Sequence, residues 1–122
     1  MLNGFEKETA PLTDYERDVL LPVLIRGLAA KYGPGAAVKN AVICEKLRAK
    51  GYDISEARVR KIVNHIRVTS AVPCLMATSR GYYISLDPEE LKGYIGSLLG
   101  REQAIRQVRE ALEEQLQQLI AR

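Results

Sequence analysis

Between Ile54 and Arg67 the chain reads ISEARVRKIVNHIR, and this stretch carries the most specific side-chain chemistry in the sequence. At about 100° per residue, Val59, Ile62, Val63 and Ile66 fall on one stripe of a helix. Ala57, Lys61, Asn64 and Val68 fall on the opposite arc, with Arg60 and His65 at its shoulders and Arg58 and Arg67 flanking it. A guanidinium pairs bidentately with guanine, and a carboxamide with adenine, along the edge that bases show in the major groove. Arg60, Lys61 and Asn64 are therefore the expected base-contacting residues, and the small Ala57 lets the backbone approach closely. Lys39, Arg58, His65, Arg67 and, further on, Arg80 are better placed for phosphates, which position a protein without specifying sequence. A solvated surface helix also carries charge, but it normally mixes signs. Here the one acidic residue is Glu56, at the helix start where the dipole favours it.

The rest of the chain must position that face. Ser55 is the expected N-cap of a helix over about Glu56 to Thr69. Before it, Asn40 reads as the N-cap of a helix from Ala41 to Lys50, with Ile43 and Leu47 on its buried side and Gly51 as its stop. Two helices joined by so tight a turn must cross steeply, as in a helix-turn-helix. Val38 and Lys39 suggest a short strand. Further upstream, Thr13-Asp-Tyr-Glu16 is a capping box that opens a first helix over about Asp14 to Tyr32. Pro22 lies inside that helix and should kink or break it, and Gly33-Pro34-Gly35 should end it. Downstream of the basic helix, Cys74–Thr78 and Tyr82–Leu86 read as strands of a hairpin. Ser79-Arg80-Gly81 is then a three-residue connection with Gly where positive φ is needed. Tyr82 and Tyr83 alternate across the strand, so one should face the core and the other should contact a phosphate or pack on the final helix.

Asp87-Pro88-Glu89-Glu90 is the sharpest helix start in the chain, combining an N-cap, a first-position proline and a capping glutamate. The helix should run nearly to the C-terminus. Gly93, Gly96 and Gly100 either break it near Gly100 or form a flat strip for close packing. Its second half is amphipathic, with Ile105, Val108, Leu112, Leu116 and Leu119 on one stripe and Glu102/Arg106 and Arg109/Glu113 at i, i+4. That stripe has to be covered, either by a second copy in a coiled-coil-like dimer or by folding back on its own domain.

Charge is distributed unevenly. The 122-residue chain has a net charge of +3. Residues 38–82 hold nine basic and three acidic side chains, whereas residues 1–37 hold four and five, and residues 83–122 hold five and seven. The positive excess is confined to the middle third, as expected when only that part meets a polyanion. The fraction of hydrophobic residues, 47%, is ordinary for a globular protein, and with no Trp and one Phe the core must be built from aliphatic side chains.

Other chemistries lack their residues. The longest apolar run, Val19–Ile25, is too short for a bilayer, and the first residues have no signal-like apolar core, so a soluble cytoplasmic protein without membrane contact is expected. Cys44 and Cys74 have no metal-site spacing and read as reduced thiols. The single histidine, His65, is crowded by like charge, and there is no HExxH, CxxC or phosphate-binding loop. No catalytic residue, metal, cofactor or small-molecule ligand is expected, and the protein is read as not an enzyme.

The order of helix, short strand, helix, turn, helix and hairpin from Thr13 to Leu86 resembles the winged helix-turn-helix superfamily. The segment VRKIVNHIR followed by SRGYYIS and a capped helix is similar to small DNA-binding proteins of bacterial phages and mobile elements. The resemblance implies a mainly α fold with a small β-hairpin, a third helix that reads the groove and a wing that grips the backbone. It assigns these roles to Arg58, Arg60, Lys61, Asn64, Arg67 and Arg80. The organisation expected is a flexible arm at 1–12, a winged domain at 13–87 and a helical extension at 88–122, a candidate dimerisation helix. By analogy the function is double-stranded DNA binding as a homodimer, sequence-specific or structure-tolerant, in transcriptional regulation or as a replication accessory. The alternative is a protein-interaction adaptor, in which the winged domain is a scaffold and the C-terminal helix is the interface.

Overall fold

A computed structural model describes residues 10–121. The chain divides into two compact units, Met1–Leu86 and Asp87–Arg122.

The first unit opens with the capping box. The Glu16 amide donates to Thr13 Oγ1 at 3.1 Å, and the Thr13 amide donates to Glu16 Oε1 at 2.9 Å. A π-helical turn, Glu16–Leu20, then leads into α1, Leu21–Leu28. The expected kink at Pro22 takes this form. The amide of Leu21 reaches back to the Glu16 carbonyl, and Pro22 falls in the first turn of α1, where its missing N–H is tolerated. Leu20, Leu24 and Leu28, one turn apart, are buried. The helix stops at Leu28, short of the expected Tyr32, because the following backbone is taken by the hairpin. Gly33 donates to the Ile84 carbonyl at 2.9 Å, and Ile84 donates to Lys31 at 2.7 Å.

After a 3-10 turn at Pro34–Ala36, the expected strand at Val38 and Lys39 reduces to one antiparallel bridge between Val38 and Tyr82. Helix α2 spans Asn40–Ala49. Its N-cap is Lys39, without a side-chain cap, so Asn40 does not fill the capping role expected of it. Its C-terminus is a Schellman motif: Tyr52 donates to Leu47 and Gly51 to Arg48, with Gly51 at φ +92°. Helix α3 spans Glu56–Thr69, with Ser55 Oγ accepting from the Arg58 amide. It closes on the same motif with Ser70 in the left-handed region.

Strands β1 (Leu75–Thr78) and β2 (Gly81–Ile84) pair antiparallel, Leu75 with Ile84 through Thr78 with Gly81. The connection is therefore two residues, Ser79-Arg80, one shorter than expected, and Cys74 lies just outside β1. Gly81, at φ +122°, opens β2. A side chain there would collide with the Val38 carbonyl and come within 2.8 Å of the Lys39 nitrogen.

The core lies where Leu20, Leu24 and Leu28, Ile43, Cys44 and Leu47, and Val59, Ile62, Val63 and Ile66 meet, closed by Val72, Leu75 and Ile84. Each fully buried aliphatic side chain contributes about 1.5–3 kcal/mol. The expected inward stripe of α3 is thus buried as a whole, and Leu75 and Ile84 fix the hairpin against it.

The second unit is α4, Pro88–Ile120, 33 residues long. Asp87 Oδ1 accepts from the Glu89 amide at 3.0 Å, as the sequence suggests. The helix runs through Gly100 without a break, and a Cβ at Gly93, Gly96 or Gly100 would meet nothing within 4 Å. Among the described residues no helix is long and apolar enough to cross a membrane, and no cluster of metal-ligating side chains occurs.

Candidate nucleic-acid interface

The face of α3 opposite the core forms one wall of a concave surface, and the hairpin forms the other. Arg60, Lys61, Asn64 and Arg67 line it from α3 together with the edge of Val63, and Ala77 and Tyr82 line it from β1 and β2. The three expected base-contacting residues are thus brought together, with Arg60 and Asn64 exposed and Lys61 half-buried. Arg67, expected to meet phosphate, shares the groove. Its Nε donates to the Leu75 carbonyl at 3.3 Å, which ties the side chain to the hairpin.

Asn40, outside the lining, braces the groove through Tyr82. Its Nδ2 donates to the Glu56 carbonyl at 2.9 Å, and its Oδ1 accepts from the Tyr82 hydroxyl at 2.9 Å. One carboxamide therefore joins the start of α2, the start of α3 and the second strand of the hairpin. This settles the two tyrosines. Tyr83 is buried opposite Met76, while Tyr82 is half-buried and spends its hydroxyl on Asn40. Sequence reasoning missed Ala77 as a lining residue and Asn40 as the partner of Tyr82, and it left open which tyrosine faces outward. The strand alternation around Tyr82 was the available signal; the link to Asn40 spans 42 residues and leaves no local pattern.

Lys39 and Arg80 are exposed. Neither lines the concavity, but both stand at the hairpin edge, because Gly81 lies against Val38 and Lys39. His65 is half-buried and also lies outside the lining.

Arg58 is placed elsewhere. Its Nε donates to Glu16 Oε2 at 2.8 Å and its Nη2 to Glu16 Oε1 at 2.7 Å. Its Nη1 and Nη2 also donate to the carbonyls of Ala10 and Pro11, at 3.0 and 2.9 Å. With 14% of its side chain exposed, Arg58 ties the start of the chain to α3, and we remove it from the phosphate-contacting set. Residues 10–12, expected to belong to a loose arm, are thereby partly held in place; positions 1–9 of that arm lie outside the described residues. The hydrogen bonds from Arg58 hold the Glu16 carboxyl below its ordinary value of 4.5, outweighing the opposite effect of burial.

Cys44 is buried and directs its thiol to the Ile54 carbonyl at 3.6 Å, whereas Cys74 is exposed; both are free. On α4, Ile105, Val108, Leu112, Leu116 and Leu119 are each more than half exposed. Beside them, Arg109 pairs with Glu113 at 2.7 Å and Arg106 with Glu102 at 3.8 Å.

No protein-family model matches this sequence, and no curated protein or solved structure matches it either.

Proposed function

We propose that the first unit is a winged helix-turn-helix module that binds double-stranded DNA. In this reading α3 enters the major groove and the β1–β2 hairpin acts as the wing on the backbone. The observation that carries it is the shared concave surface: Arg60, Lys61, Asn64 and Arg67 face outward from one helix, and the hairpin extends the same surface. A major groove about 12 Å wide admits such a helix, and a good bidentate base contact contributes about 1–3 kcal/mol of discrimination. Arg60, Lys61 and Asn64 read bases. Lys39, Arg67 and Arg80, with His65 as a further contact, meet phosphates. The confinement of positive charge to residues 38–82 supports the same assignment.

In this reading the protein works as a homodimer, with α4 joining two copies through Ile105, Val108, Leu112, Leu116 and Leu119. Transcriptional regulation or a replication accessory role follows from such a module by analogy. The test is selection of bound duplexes from a random pool, followed by titration of the selected and scrambled sequences. Lys61→Ala combined with Asn64→Ala should reduce the ratio between the two affinities by at least about tenfold, as expected for the loss of one to two base contacts. A protein that retains no duplex at low salt would instead favour the adaptor reading, with the exposed face of α4 as the working surface.

A further inference from the structure

The pattern of charge on α4 bears on how two copies would meet, an inference that rests on reading α4 as the dimer helix. Among residues 101–109 there are three arginines and one glutamate; among residues 110–121 there are three glutamates and no basic residue. The sign of the helix surface therefore reverses near Arg109. The two flanks of the apolar stripe also differ. At about 100° per residue, Glu102, Arg106, Arg109 and Glu113 border one side, and Ala104, Ala111, Gln115 and Gln118 border the other.

We propose that two copies pair through α4 in an antiparallel sense, with the two-fold axis between residues 110 and 111. Two facts favour this over a parallel pair. A parallel pair keeps the arginine-rich segments at one level and the glutamate-rich segments at another, so no arginine comes level with a partner glutamate beyond residue 109. The antiparallel pair sets each against its opposite, with Arg106 and Arg109 on the flank that faces the partner's Glu113. The second fact is symmetry. A two-fold axis perpendicular to the helices brings each flank against its own copy, so the small side chains of Ala104 and Ala111 meet small or uncharged ones and allow close approach. An axis parallel to the helices would instead set the charged flank against the alanine flank and leave its ions without partners across the seam. The apolar residues fit the antiparallel register: Val108 faces the partner's Leu112, and Ile105 faces the partner's Leu116.

Orientation is read directly by distance. In full-length protein carrying Cys74→Ser, with Cys44 left in the core, a spin label at Lys92→Cys reports the separation of the two helix starts. At 1.5 Å of rise per residue the antiparallel pair sets these labels about 55 Å apart, and a parallel pair sets them within about 25 Å. A dimer with the long distance supports the proposal. A dimer with the short distance overturns the orientation but leaves the dimer intact, and a monomer at all concentrations overturns the dimer reading itself. A second measurement guards against a label that perturbs the helix. Oxidising a mixture of Ile105→Cys and Leu116→Cys chains, each in the Cys74→Ser background, should give mainly the mixed disulfide; mainly like-with-like disulfides would overturn the antiparallel pair.

Discussion

Arg58 and Glu16, 42 residues apart in sequence, form a two-pronged pair with bonds of 2.8 and 2.7 Å, and 14% and 7% of their side chains remain exposed. The arginine lies on the basic helix, yet its charge is spent inside the domain. It joins α3 to the capping box that starts the first helical segment and to the carbonyls of Ala10 and Pro11. The basic residues of α3 thus divide into one that builds the module and several that face the groove.

Replacing Arg58 with Met should lower stability by about 3 kcal/mol, because it leaves the Glu16 carboxylate largely buried without its cation. Urea denaturation at neutral pH measures this. Duplex affinity of the folded variant should stay within about twofold of the unaltered protein. A reduced salt dependence of binding would instead return Arg58 to the phosphate-contacting set.

The same pair fixes a pH dependence. The folded-state value of Glu16 is depressed below 4.5, so the ionised form is favoured by folding. Its contribution is fully present above the unfolded value and is lost as pH falls through the folded one. Thermal unfolding followed from pH 6 downward should show stability declining below about pH 4.5. In Glu16→Gln this part of the decline should be smaller. An unchanged acid slope in that variant would contradict the assignment.

Gly81 is required by both its conformation and its neighbours. Its φ is +122°, and an added Cβ would strike the Val38 carbonyl. Gly81→Ala should cost at least about 2 kcal/mol through strain and displaced backbone. The loss should be concentrated at the Val38–Tyr82 bridge, where amide hydrogen exchange should accelerate for both residues. A variant as stable as the unaltered protein would show that the hairpin tolerates moving away from Val38.

The parts of the fold written in local pattern were legible in the sequence. Helix α3 has its Ser55 cap, its four-residue apolar stripe and its bounds in one continuous segment, and the start of α4 is set by Asp87, Pro88 and Glu89. Pro22 marked the place of an irregularity, but its form, a π-helical turn, depends on keeping Leu20 and Leu24 in the core on either side of it. What was not legible depends on partners far along the chain. Asn40 looks like a cap and instead bridges Glu56 and Tyr82. Arg58 looks like a phosphate contact and instead meets Glu16. The end of α1 is set by Ile84, more than fifty residues away. For the candidate site, the helical period alone selected Arg60, Lys61 and Asn64, while the hairpin wall of the groove needed the strand register.

Whether the α3 and hairpin surface binds duplex DNA is read from the salt dependence of binding to a mixed-sequence duplex between about 50 and 200 mM salt. Neutralisation of about five phosphates by Lys39, Arg60, Lys61, Arg67 and Arg80 gives a log–log slope of about −4 to −5. Arg80→Ala should make it shallower by about one while weakening all sequences alike. Absence of binding at about 50 mM salt, or a slope near zero, would show that this surface does not bind duplex DNA through its phosphates.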